Sequence, residues 1–276
     1  MSITAADVKK LRDQTGAGMM DCKKALTESG GDMEKAVELL RKKGQKVSEK
    51  RADRQANQGV IVTHISEDRK KAVALELNCE TDFVAKNEDF VADAKEFARL
   101  MFENEPADRQ ALLDLKTGQV TIADRLKDLI GKIGEKIDIG RFETLKTDGS
   151  IIDYIHPGNQ LCVLVEFKGT LENTDAAKDV AMQVAAMNPI AVKREEVDAG
   201  TLEKEKEIAI DQLINEGKTR EIAEKAATGK IRRFFEERVL LEQKFVKDGS
   251  LSVREYLEKA GSPEVLSFVR IQLGAG

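Results

Sequence analysis

From Gly59 the chain alternates with a period of two. Val60, Val62 and His64 fall on one side and Ile61, Thr63 and Ile65 on the other; the polar turn Glu67-Asp68-Arg69 follows, then the apolar run 72–77. Successive strand side chains point to opposite faces, so this pattern predicts a β-hairpin. The spacing then changes to that of a helix over about 87–103, with Phe90, Ala94, Phe97 and Met101 on one face. Residues 108–137 read as helical or mixed, with Leu112, Leu115, Ile122, Leu126 and Ile130 apolar. The plan then recurs: a short strand at 142–145, the turn Thr147-Asp148-Gly149, strands at 151–155 and 161–167, and a helix over about 174–187. Strands followed by a long helix, once over 59–103 and again over 140–187, predict a duplicated module in an α+β fold.

The flanks differ. Residues 3–44 read as a compact three-helix unit. Thr4 caps a first helix that reaches about residue 14, with Val8 and Leu11 inward. Gly16 and Gly18 separate it from a helix over 19–29 with Cys22, Ala25 and Leu26 inward. After Gly30-Gly31, Asp32 caps a third helix carrying Ala36, Val37 and Leu40, which Gly44 is expected to end. Residues 45–58 are nearly all polar and read either as a solvated helix or as a mobile linker, marking a domain boundary. The expected division is 1–44 (three helices), 45–58 (linker), 59–139 and 140–189 (core modules), 190–245 (antiparallel helical hairpin) and 246–276 (end of the core and a C-terminal helix). In that last part a helix is expected over 251–260, and 264–273 is an apolar tail that must pack on something.

Composition narrows the function classes. The 276 residues hold 45 Lys and Arg against 50 Asp and Glu, for a net charge of −5. A nucleic-acid binder usually carries the opposite excess, and the absence of Trp argues against a base-stacking platform. Cys22, Cys79 and Cys162 form neither a C-x-x-C pair nor a disulfide framework, which fits a reducing compartment. No charged n-region with an apolar h-region opens the chain, and no apolar stretch approaches the ~20 residues that cross a bilayer. A cytoplasmic protein without membrane contact is the expectation.

No catalytic centre stands out. Gly217-Lys218-Thr219 lacks the glycine five residues earlier that a phosphate-binding loop needs, since Gln212 stands there, and its helical flanks make it a hairpin turn. The only histidines, His64 and His156, have no ligand partners at metal spacing, so no metal is expected. Glu80 and Asp82 have no nucleophile or histidine beside them; Thr81 or Asp82 reads as a helix cap. Phe83 sits where strand gives way to helix, between Asp82 and Lys86. Its chemistry suits a core residue, seven positions before Phe90, or a contact ring on a polar turn. Met19 and Met20, beside Gly16 and Gly18, fill a core gap or form an adaptable contact surface.

Two stretches resemble a known family. Leu11-Arg12, with Thr15-Gly16-Ala17-Gly18-Met19-Met20-Asp21-Cys22-Lys23-Lys24-Ala25-Leu26, is similar to the N-terminal signature of bacterial translation elongation factor Ts. Glu80-Thr81-Asp82-Phe83-Val84-Ala85-Lys86-Asn87 is similar to its second signature, and the resemblance covers the whole chain. It implies a ubiquitin-associated-like N-terminal fold and a guanine nucleotide exchange factor for elongation factor Tu, with no cofactor and no catalytic chemistry of its own. It also implies that Thr81, Asp82, Phe83 and Val84 enter the partner's nucleotide-binding domain and disturb its magnesium and phosphate surroundings. Met19, Met20 and His156 would make further partner contacts, and the helical hairpin would pair two copies. After His156 the family carries glycines where this chain has Asn159-Gln160-Leu161-Cys162. The rival from another class is a helical adaptor or chaperone-like scaffold that binds without affecting nucleotide release.

Overall fold

The computed structural model describes residues 3–172, 174–261 and 263–274. Three helices open the chain: α1 (Ala5–Thr15), α2 (Met19–Glu28) and α3 (Met33–Arg51). Thr4 caps α1 through a reciprocal pair with Asp7, and Asp32 caps α3 by accepting from the Lys35 N–H. Val8, Leu11, Cys22, Ala25, Leu26 and Ala36 form their small core. Gly44 does not end α3 as expected. The helix continues for seven more residues to Arg51, and Gly44 is a contact point within it, facing Gly131. Polar 45–51 is therefore helix, and 52–57 alone connects it to the first strand.

The first core module runs β1 (Gln58–Ile65), β2 (Lys71–Cys79), a single turn α4 (Asp82–Ala85), α5 (Glu88–Asn104), α6 (Arg109–Asp114), the small pair β3 (Lys116–Thr117) and β4 (Val120–Thr121), α7 (Ile122–Ile133) and β5 (Asp138–Lys146). Its sheet has the order β1-β2-β5, all antiparallel. This corrects the strand expected at 142–145. It belongs to the first sheet, beside β2, with Leu75 opposite Phe142, and not to the second module.

The second module runs β6 (Ser150–Ile155), β7 (Leu161–Phe167), α8 (Thr174–Met187), the hairpin helices α9 (Ala199–Asn215) and α10 (Arg220–Arg238), the short strands β8 (Lys244–Phe245) and β9 (Asp248–Ser252), α11 (Val253–Lys259) and β10 (Val265–Gln272). The apolar tail is thus the edge strand of a second sheet, β10-β7-β6, with Phe268 opposite Val165. Both modules follow one rule: a hairpin, a helix, then a third strand that returns from farther along the chain to pair with the hairpin's second strand. The helical hairpin is inserted before that return in the second module. Gly217, at φ +89°, makes its turn, and the Lys218 N–H donates to the Leu213 carbonyl.

The two sheets pack face to face. Ile61, Ala72 and Ala74 of the first meet Ile151, Cys162, Leu164 and Ile271 of the second. On the outer face of the first sheet, Val60, Val62, Val73, Leu75 and Leu77 pack against Phe90, Phe97 and Met101 of α5 and Leu126 of α7. Val163, Val165 and Phe167 of the second pack against Val180, Ala181 and Val184 of α8. Strands covered on both faces explain why β2 and β7 read as nearly continuous apolar runs. Alanines at the inner positions of β2 leave room for the second sheet.

Candidate functional site

The site is built at the end of β2. Cys79, the last strand residue, is buried, and its thiol donates to the Thr81 carbonyl at 3.1 Å. Burial, reinforced by the nearby Glu135 charge, pushes that thiol up to about 12, so it stays protonated and is no nucleophile. Thr81 then leaves the sheet in an extended conformation and caps α4, accepting from the Val84 N–H at 3.5 Å. Ala85 is buried and Val84 packs half-buried on the first core, which turns the opposite side of α4 outward. Phe83 lies on that side and is 83 % exposed, more than any other large hydrophobic side chain among the described residues. Between core and contact, the structure decides for an outward ring. Asp82 beside it binds Lys86 Nζ at 2.6 Å, and this hydrogen bond holds its carboxyl below the usual range.

A one-turn helix cannot fix its own direction, because helix nucleation is unfavourable. Side chains distant in sequence supply the ties. Glu135 accepts from the backbone N–H groups of Glu80 (3.1 Å) and Thr81 (3.0 Å) through one oxygen and from the Thr81 hydroxyl (2.7 Å) through the other. Glu80 answers by accepting from the Lys136 N–H at 2.7 Å, Arg51 Nη1 at 2.7 Å and Arg54 Nη1 at 3.0 Å. Burial alone would raise the Glu80 carboxyl. The Lys136 N–H and the two guanidinium groups outweigh it and hold the group at about 2.

That depression fixes a sign. The folded value lies below the ordinary 4.5, so the contribution of the charged group is complete above about pH 4.5 and is lost as the pH falls toward 2. Glu80→Gln is expected to lower stability by about 2 kcal/mol at pH 7, the scale of charge-assisted hydrogen bonds. Denaturant midpoints of the two proteins should converge below pH 4. A gap that is constant from pH 7 to pH 3 would show that the Glu80 charge does not matter.

Met19 and Met20 open α2 behind Gly18 and are 58 % and 64 % exposed. They are surface residues, not core filler. The preceding loop abuts α7: a Cβ on Gly16 would sit 2.8 Å from Lys132 Cε. Lys132 and Glu135 are three residues apart where α7 ends, so the structure brings the loop before Met19 and the Phe83 turn to one end of that helix. His156 is not part of this group. It is exposed on the turn after β6, where its Nδ1 lies 3.0 Å from Tyr154 Oη. The turn places an asparagine directly after its glycine. Gly158 has φ +96°, Asn159 has φ +55°, and the Asn159 N–H donates to the His156 carbonyl at 3.0 Å. Asparagine is among the few residues that tolerate the left-handed region.

Glu135, Lys136, Arg51 and Arg54 carry no functional motif in the sequence. Each looks locally like a solvated surface charge; only the αL glycine Gly134, which ends α7 and fixes where Glu135 begins, is a visible cue.

Comparison with known proteins decides the family. Residues 80–275 match the family model described as elongation factor TS. The chain belongs to the elongation factor Ts family. Among curated relatives, elongation factor Ts of Prosthecochloris aestuarii is 47 % identical over 285 aligned residues, covering 99 % of both chains. That of Christiangramia forsetii is 47 % identical over 274 residues, again with 99 % of each covered. That of Amoebophilus asiaticus is 44 % identical with both chains fully covered. The match to the family model begins at Glu80, the first residue of the clamped turn, and the full-length relatives extend the likeness through the N-terminal bundle. Among the described residues, no helix is long and apolar enough to cross a membrane.

Proposed function

We propose that the protein is the guanine nucleotide exchange factor of elongation factor Tu and that Phe83 is its working group. The observation that carries this reading is a bare aromatic ring on a turn tied down from both sides. Leaving a phenylalanine in water forfeits roughly 2–3 kcal/mol of burial. A partner pocket recovers it.

A GTPase retains GDP because phosphate, magnesium and base contacts act together. An exchange factor carries out no bond chemistry; it binds the loosened state better than the closed one, and that difference in affinity is the whole of its effect. Phe83, entering between helices of the nucleotide-binding domain, shifts the elements that hold the magnesium and phosphates. Asp82 presents a charge at the same place, and Thr81 and Val84 form the flanks of the inserted turn. Met19 and Met20 add adaptable apolar contact from the N-terminal bundle, and His156 reaches the partner from the second module. Linkage makes the effect reciprocal: each nucleotide weakens the complex by the factor by which the complex weakens that nucleotide, so incoming GTP in excess displaces the factor. Ile208, Ile214 and Ile222, exposed on the hairpin, provide apolar surface for a second copy.

The test is GDP release. Elongation factor Tu loaded with a fluorescent GDP analogue is mixed with excess unlabelled GDP, with and without the protein. Acceleration of at least about a hundredfold is expected, toward the upper end of the usual range of coupling between two ligands. Co-elution with elongation factor Tu without acceleration would instead identify a scaffold.

A further inference from the structure

We propose that Glu135 is a positioning residue for exchange: its carboxylate, interlocked with Glu80, sets the angle at which Phe83 leaves the surface. This rests on the reading of Phe83 given above. Two consecutive residues of the turn are joined to two consecutive residues beyond α7, in both directions. Backbone N–H groups of Glu80 and Thr81 donate to the Glu135 carboxylate, and the Lys136 N–H donates to the Glu80 carboxylate. Such an exchange fixes rotation as well as distance, because a turn that pivots about either bond breaks the other. Glu135 is itself seated by Gly134, at φ +79°, whose N–H closes α7 on the Ile130 carbonyl at 2.8 Å. The far side of the lock is held by α3, since Arg51 reaches Glu80 and Lys136 Nζ reaches the Ala52 carbonyl at 2.7 Å. Phe83 has no inward packing of its own, so its direction comes from these ties and from the burial of Val84 and Ala85. A ring aimed wrongly by about 1 Å loses much of its effect, since positioning errors of that size cost up to about a hundredfold in preorganised sites.

The variants Glu135→Ala, Glu135→Gln and Phe83→Ala are compared by GDP release from elongation factor Tu across a range of factor concentrations. A mispositioned ring lowers the rate at saturation. Simple loss of folded protein instead raises the concentration needed for half-saturation and leaves the plateau intact. Glu135→Ala is expected to lower the plateau about tenfold with half-saturation moved less than about threefold. Glu135→Gln should return to within about twofold of wild type, because its amide oxygen accepts the two N–H groups and its NH₂ meets the Thr81 hydroxyl. If Glu135→Ala is not recovered folded, Glu135→Asp, too short to span both groups, is judged by the same plateau. A wild-type plateau for Glu135→Ala, or for Glu135→Asp where it stands in, beside a slow Phe83→Ala overturns the lock and leaves the exchange reading standing. So does a change confined to half-saturation. A wild-type rate for Phe83→Ala removes the role of Phe83 and the lock with it.

Discussion

Phe83→Ala is expected to slow factor-stimulated GDP release about a hundredfold while leaving the melting temperature within about 2 °C of wild type. The two halves of that expectation have separate causes. The ring is 83 % exposed and lies outside the core of the first module, so truncation opens no cavity. Alanine is also the better helix former, which slightly favours α4. Thr81, Val84 and Ala85 still hold the turn, because their contacts do not involve the ring. In the partner the situation reverses. A ring at the centre of a desolvated contact carries about 2–4 kcal/mol, and a hundredfold change needs about 2.7 kcal/mol. Phe83→Leu, which keeps much of the apolar area without the flat ring, should fall between. Stopped-flow release of labelled GDP gives the rates and circular dichroism the melting temperatures. Wild-type release by the alanine variant would place the work elsewhere on the surface.

Much of this architecture is legible in the sequence, and the misses share one origin. Alternation gives β1, the apolar run after a polar turn gives β2, helical spacing gives α5, and the caps Thr4 and Asp32 lie where side-chain chemistry puts them. These are local signals. What fails is pairing over distance. A strand, a Thr-Asp-Gly turn and another strand normally make a hairpin, yet β5 and β6 separate into different sheets. The link between them runs past the β1–β2 turn, where Thr147 N–H donates to the Lys70 carbonyl and Ile151 N–H to the Arg69 carbonyl. Tertiary contacts thus replace the partner that the turn would have supplied. The same holds for β10, whose partner β7 lies about a hundred residues earlier and whose apolar run is broken by a bulge between Val265 and Ser267. At the site, the residues that protrude are visible as an unusual motif. Those that hold them, Glu135 and Arg51, are not, because a solvated surface charge and a half-buried anchor look alike until the fold brings the turn against them.

Gly44 carries the same lesson from the other side, because glycine near the end of a periodic helix suggests a stop, and here it marks a crossing. Neither Gly44 nor Gly131 has a left-handed backbone, so space and not conformation requires the glycines. A Cβ added to Gly131 would lie 2.8 Å from Gly44 Cα, and one added to Gly44 would lie 3.3 Å from the Lys127 carbonyl oxygen. The obstacles are backbone atoms, which no rotamer change moves aside. Gly131→Ala therefore sets a helix-propensity gain of about 1 kcal/mol against an overpacking cost of about 1–3 kcal/mol, for a small net loss. Gly131→Val adds two methyl groups and a poorer helix former to the same contact, so a loss of about 3 kcal/mol is expected. That loss falls on the docking of α3 against α7 and so on Arg51, which α3 delivers to Glu80. The N-terminal bundle should come away first. Melting would begin about 6–12 °C earlier, and trypsin would reach the Lys50–Arg54 segment before it cuts the core. A single transition at the wild-type temperature would mean that the helices part at no cost. The glycine pair would then be incidental to the path that joins the bundle to the Phe83 turn.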